Sequence, residues 1–173
     1  MRGRRPLREE SPALRARILE ARRLLEERTP LAFDCGRICG AACCHSEGEM
    51  ILLPGEAELY PGDPRVAEVG GRAVFRCAGY CNRRERPLAC RIFPLTVRRT
   101  RAGVLDWAMD PRGRGLCPLT RQGKRALAPG FLAAAETVLG LLATQPLVRA
   151  YLDELALLYA QYRELIAAFR SPL

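Results

Sequence analysis

Apolar residues recur along the chain with a helical period at both ends and lose that period in the middle. Over residues 11–28 (SPALRARILEARRLLEER), Leu14, Ile18, Ala21 and Leu25 stand four, three and four apart, which places them on one face of a helix. Ser11 is expected as its N-cap and Pro12 as its first helical residue, where a missing N–H costs no hydrogen bond. Residues 131–143 repeat the device with Phe131, Ala135, Val138 and Leu142. Pro146 then opens a last helix reaching residue 170, in which Val148, Leu152, Leu155, Tyr159, Tyr162, Ile166 and Phe169 alternate the two spacings and Tyr151, Leu158 and Leu165 widen the stripe. So broad a face predicts burial against helices 11–28 and 131–143 of the same chain and favours a monomer, with a homodimer through residues 146–170 as the alternative.

Between these helices, residues 33–119 are rich in Pro, Gly and Arg and predict loops, a short helix near Gly55–Tyr60 and a few strands, among them a short one at Val74–Arg76. One hairpin stands out: Leu95–Arg99 and Val104–Met109 are β-prone runs joined by Thr100, Arg101, Ala102 and Gly103. The fold class expected is mainly α with a minor α+β character. Amphipathic helices flank a cysteine-rich, loop-dominated core with a small β-hairpin, in a single domain over residues 1–173.

Composition sharpens this picture. A chain of 173 residues buries about 70% of the surface it exposes when unfolded. A hydrophobic share of 49% beside 27% charged residues argues for a packed core over disorder. Residues 1–10 (MRGRRPLREE) carry no apolar stretch, and residues 126–148 are interrupted by Pro129, Glu136, Gln145 and Pro146, short of the ~20 continuous apolar residues of a span. A cytoplasmic protein with no membrane association is therefore expected.

In a reducing compartment the eight cysteines read as ligands, because thiols stay open there. All lie between Cys35 and Cys117, in two groups: Cys35, Cys39, Cys43 and Cys44 (CGRICGAACC), then Cys77, Cys81, Cys90 and Cys117. Closely spaced thiols suit a metal because short loops bring them together at low entropic cost. One continuous helix through the first group would separate Cys35 from Cys43 by ~12 Å of rise. Sulfurs on one tetrahedral zinc lie only ~3.8 Å apart, so the helix is expected to break at Gly36 or Gly40, or the thiols to divide between two sites. Zinc, iron and an iron–sulfur cluster all fit all-cysteine ligation, and Cys117-Pro118 echoes a ferredoxin ending. The single His, His45, is expected at the surface rather than on a metal.

The formal charge of +9 comes from 27 Arg and one Lys against 19 acids. Nine of those arginines lie between Arg72 and Arg101, where Glu85 is the one acid. Four thiolates around zinc or a cubane core leave a net negative charge, which guanidinium groups can offset, with Arg91 and Arg86 beside Cys90 as the first candidates.

These residues resemble the YkgJ-type cysteine-cluster proteins, described as zinc- or iron-chelating domains. The likeness rests on Phe33-x-Cys35 leading into Cys39 and Cys43-Cys44, on the segment from Arg86 to Pro94 (RPLACRIFP), similar to that family's RPxxCRxFP signature, and on Cys117-Pro118. It covers about residues 33–119. The family's first motif is written CxxCxxCC, whereas here each gap holds one more residue, and Arg83-Arg84 stands where a Tyr is often found. The resemblance implies a metal or iron–sulfur site.

The function expected is binding of a metal or iron–sulfur cluster through the eight cysteines. A cluster-dependent redox or group-transfer enzyme and a basic nucleic-acid-binding module are the alternatives. An aromatic content of 6% offers little stacking surface for the latter. One His and no nucleophile elbow exclude serine–histidine catalysis.

Overall fold

The computed structural model describes residues 12–45, 48–77, 79 and 82–169. Seven α-helices and five strands follow one another as α1 (Pro12–Leu24), α2 (Gly36–Cys39), α3 (Ala42–His45), β1 (Gly48–Ile51), β2 (Val66–Val69), β3 (Arg72–Cys77), α4 (Leu88–Ile92), β4 (Leu95–Arg99), β5 (Leu105–Met109), α5 (Leu119–Gln122), α6 (Pro129–Ala143) and α7 (Pro146–Ala168). Short 3-10 turns at Glu56–Leu59, Arg83–Glu85, Pro111–Gly115 and Lys124–Ala126 link them. The architecture is mainly helical with minor β structure, as the periodicity predicts. The Ser11 cap lies outside the described residues.

Helix α1 stops at Leu24, four residues before the end of the periodic segment. In its last turn the Arg22 carbonyl accepts from Arg91, and just beyond it Arg83 donates to the carbonyl oxygens of Leu25, Glu26 and Arg28. Carbonyls at a helix C-terminus lack intrahelical partners and carry partial negative charge, so a guanidinium is well placed to end the helix there.

The predicted hairpin forms from β4 and β5, antiparallel with Leu95 opposite Met109 and Arg99 opposite Leu105. Gly103 supplies the positive φ of 76° the turn requires. Leu95, Val97, Leu105 and Trp107 face the core, and Trp107 Nε1–H donates to the Ala135 carbonyl of α6 at 2.7 Å. The strand expected at Val74–Arg76 is β3, the centre of a three-stranded antiparallel sheet ordered β1-β3-β2, whose outer strands the composition predicts in this region without fixing their positions.

One apolar core joins Leu14, Ile18, Ala21 and Leu25 near α1, Leu88 and Ile92 on α4, the hairpin, and Phe131, Val138 and Leu142 on α6. A smaller cluster of Leu52, Tyr60 and Phe75 underlies the three-stranded sheet. The final helix departs from expectation. Only Val148, Leu152 and Ala156 are fully buried, and α7 lies chiefly against β4 while α6 takes α1. Leu158, Tyr162, Leu165 and Phe169 are exposed, so the apolar stripe is covered in its first half and bare in its second. No single described helix is long and apolar enough to cross a membrane; α6 and α7 pass a length and composition test only as a pair bent by 120°.

Candidate functional site

Five of the cysteines line one cavity of about 300 Å³: Cys35, Cys39, Cys43, Cys90 and Cys117. They arrive from three separate stretches. Of the two glycines at which a break is expected, the first stretch breaks at Gly40, where φ is 61° and α2 ends, before α3 begins at Ala42. Gly40 has no Cβ to clash in that left-handed conformation. Ala41, next to it, also has positive φ, at 56°. The reversal lets Cys35, Cys39 and Cys43 look into the same space, which a continuous helix could not.

Cys90 stands on α4, held from both sides. Pro87 precedes the helix in extended conformation, and the fully buried Glu56 accepts the backbone N–H of Leu88 at 2.7 Å through one carboxylate oxygen and that of Leu53 at 3.2 Å through the other. A carboxylate thus satisfies an N–H at the start of α4 that no helical carbonyl reaches. Sequence reading missed Glu56, because burial of a carboxylate beside an ordinary turn leaves no local signature. Arg86, Cys90, Arg91, Phe93 and Pro94, spaced along RPLACRIFP, all line the cavity, and the Phe93–Pro94 peptide is cis.

Cys117 follows the turn at Pro111–Gly115. Asp110 caps that turn by accepting the Arg112 N–H at 2.9 Å, and Cys117 N–H donates to the Gly113 carbonyl at 2.8 Å. A Cβ on Gly113 would lie 3.0 Å from the Phe93 ring and 2.9 Å from the Thr120 methyl, so only glycine lets the Cys117 segment approach the cavity wall this closely. The Thr120 hydroxyl donates back to the Cys117 carbonyl at 2.7 Å.

The remaining described cysteines lie off this cavity wall. Cys77, at the end of β3, makes a long contact of 3.9 Å from its thiol to the Cys44 carbonyl, so the second group is split: Cys90 and Cys117 join the first group's cavity, while Cys77 goes with Cys44. Cys44 is also a hydrogen-bonding neighbour of the Cys43 thiol and so lies beside the cavity set. Cys81 lies outside the described residues. His45 is exposed.

The cavity disfavours charge on its sulfurs. Burial pushes the Cys35 thiol up, helped by Cys39, Asp34 and Cys117 and opposed by Arg86. Cys43, exposed to solvent at the cavity rim, is also pushed up, by partial desolvation and by the neighbouring Cys44, Cys35 and Cys39 thiols. Cys117 rises through burial and Cys39 despite the Leu119 and Thr120 N–H groups that favour its thiolate. A neutral thiol is a weak nucleophile and a weak ligand alike, so any metal held by these sulfurs would have to displace their protons. Among the described residues no three Cys, His, Asp or Glu side chains are gathered closely enough to hold a single ion as they stand.

The arginines divide by role. Arg91, expected to face the sulfurs, is 5% exposed and lines the cavity, but its N–H groups go to backbone: Nε to the Arg86 carbonyl, Nη1 to that of Arg22, and Nη2 to those of Arg83 and Arg84. It ties α4 to the end of α1 and to the turn at Arg83–Glu85. Arg86 acts on a thiol, lowering Cys35, and Arg83 is also coupled to the Cys35 charge. Most of the others meet acids from distant sequence: Arg72 with Glu154, Arg76 with Glu49, Arg84 with Glu26, Arg98 with Asp106 and Arg99 with Asp153. Folding thus brings an acid to five of the nine arginines, although Asp106 is shared with Lys124 and Asp153 with Arg149. Arg83, Arg86 and Arg91 remain at the thiol cavity.

The mouth of the cavity is apolar, with Phe33, Ile38 and Leu116 exposed at its wall. A comparison with family models, with curated proteins and with solved structures finds no match to this chain.

Proposed function

We propose that this chain binds a metal ion or an iron–sulfur cluster in the cavity formed by Cys35, Cys39, Cys43, Cys90 and Cys117. The observation that carries the reading is convergence: thiols more than 80 residues apart in sequence line one space of about 300 Å³, in a chain whose eight cysteines all fall between positions 35 and 117. Soft thiolate donors select zinc or iron–sulfur chemistry over hard cations. The donor chemistry fits such a group, while the spread of the thiols favours a cluster, which accepts wider sulfur separations than one zinc ion, or a closing of the Cys35–Cys43 loops on the metal. Arg86 is positioned to offset negative charge there, and the RPLACRIFP segment, the most specific part of the resemblance to cysteine-cluster proteins, forms part of the wall.

The test is elemental analysis with a visible absorption spectrum on protein purified without oxygen. Zinc or iron at about one site's stoichiometry, lost on changing Cys90→Ser or Cys117→Ser, supports the proposal. Metal-free protein with every thiol titratable, obtained from a metal-replete culture, overturns it.

A further inference from the structure

A second cleft, of about 460 Å³, opens where the hairpin, the turn at Pro111–Gly115, the Lys124–Ala126 turn and the far half of α7 meet. Its wall carries Arg98 from β4, Arg114 from the first turn, Lys124 from the second and Arg163 from α7, against one carboxylate, Asp110. That carboxylate is already engaged. Asp110 accepts Nε, Nη2 and the backbone N–H of Arg112, the closest at 2.6 Å, so it subtracts little from the field of the four cations. Asp106 accepts from both Arg98 and Lys124, at 2.8 and 3.2 Å, one acid shared by two bases. Arg163 lies over the Tyr159 ring, 5.8 Å from its centroid, which holds the guanidinium along the cleft.

We propose that this cleft binds a small phosphorylated anion. Four cations drawn from four elements line this one space. A phosphorylated anion, with more than one negative charge and several acceptor oxygens, can engage more of them at once than a singly charged carboxylate can. The volume falls within the range of small-ligand sites. The bare half of α7 has a use in this account: Tyr159 and Ile166 turn toward the cleft and are half-buried, while Arg163 brings a charge that the hairpin and its following turns alone would lack. Nothing in the argument depends on metal at the cysteines.

Trp107, the one tryptophan, lines the cleft and provides a reporter. Inorganic pyrophosphate is titrated into the full chain at low salt, followed by Trp107 emission and by calorimetry. Saturable binding is expected in the wild type and in an Arg15→Gln/Arg23→Gln control on α1, and binding weakened by about a hundredfold in Arg114→Gln/Arg163→Gln, about tenfold for each lost charged hydrogen-bond donor. Both cleft arginines are exposed, so that variant keeps its core. Absence of saturable heat and emission change in the wild type overturns the proposal, as does equal weakening in the control. Binding of a single-stranded oligonucleotide through Arg114 and Arg163 without pyrophosphate binding also overturns it, in favour of a nucleic-acid face.

Discussion

The carboxylate of Glu56, with no solvent exposure, receives the backbone N–H of Leu88 at 2.7 Å across 32 residues of sequence. Through this bond the turn after β1 fixes the start of α4, and α4 carries Cys90. Glu56→Gln should therefore destabilise the fold, since both carboxylate oxygens accept an N–H and an amide offers only one oxygen. One buried N–H then faces an NH₂ group, at a cost of about 1–3 kcal/mol. Urea denaturation checks this, and an unchanged midpoint would remove Glu56 from the account of how Cys90 is held.

The same residue makes stability depend on pH with a definite sign. Burial is the largest influence on Glu56 and raises its carboxyl above the ordinary 4.5, against the pull of the Leu88 and Leu53 N–H groups and of Arg22 and Arg91. Above pH 4.5 the unfolded chain has released this proton while the folded chain still holds it, so the native state binds more protons and stability falls as pH rises through that window. Below 4.5 both states are protonated and the contribution is flat. The difference in urea midpoint between wild type and Glu56→Gln, followed upward from pH 4, should shrink as the wild type loses this advantage.

The fold was legible where its causes are local. Leu14, Ile18, Ala21 and Leu25 mark α1 by spacing alone, the hairpin announces itself by Gly103 between β-prone runs, and Gly40 is one of the two glycines at which a helix break is expected. Strands β1 and β2 were not legible, because four-residue segments such as Gly48–Ile51 and Val66–Val69 are strands only by pairing with β3. Charge was misread for a related reason. The acids that meet Arg72, Arg98 and Arg99 are brought to them by folding, and a count over neighbouring residues misses all three pairs. Which cysteines share a cavity likewise depends on the path of the chain between Cys43 and Cys90.

Arg91 illustrates the consequence for mutagenesis. Its guanidinium serves four carbonyls, from Arg22, Arg83, Arg84 and Arg86, and sits at 5% exposure. Arg91→Ala should cost about 3 kcal/mol, as several charge-assisted hydrogen bonds of a buried guanidinium are lost. Arg91→Lys keeps the charge without the planar fork and should recover only part of that. Thermal denaturation of the two variants separates geometry from charge; full recovery by Lys would show that charge alone matters.

Along α7 the two halves should respond differently to truncation. Leu152, 4% exposed in the main core, should cost about 2–5 kcal/mol as Leu152→Ala. Leu165, 54% exposed, should change stability by no more than about 0.5 kcal/mol as Leu165→Ala. Equal and large losses at both positions, together with a dimeric sedimentation coefficient, would mean that a second copy covers the distal stripe.

Removal of metal tests how far the cysteine region and the helical core are independent. Among the described residues the main apolar core includes no cysteine, and α4 is the element that joins it to the cavity, giving Leu88 and Ile92 to the core and Cys90 to the cavity wall. Structural zinc contributes about 10–16 kcal/mol of apparent binding free energy, comparable to the ~5–15 kcal/mol net stability of a whole domain. Chelation should therefore loosen α2, α3 and the Cys117 turn, whose thiols repel one another when charged, without dissolving the helices. The expected result is a marked fall in melting temperature and a rise in the number of thiols reacting with a thiol reagent toward the eight of the sequence, while far-UV dichroism and the buried emission of Trp107 persist. If all eight react equally fast before chelation and the melting temperature does not move, the cysteines hold nothing, and the cavity they line is a property of packing alone.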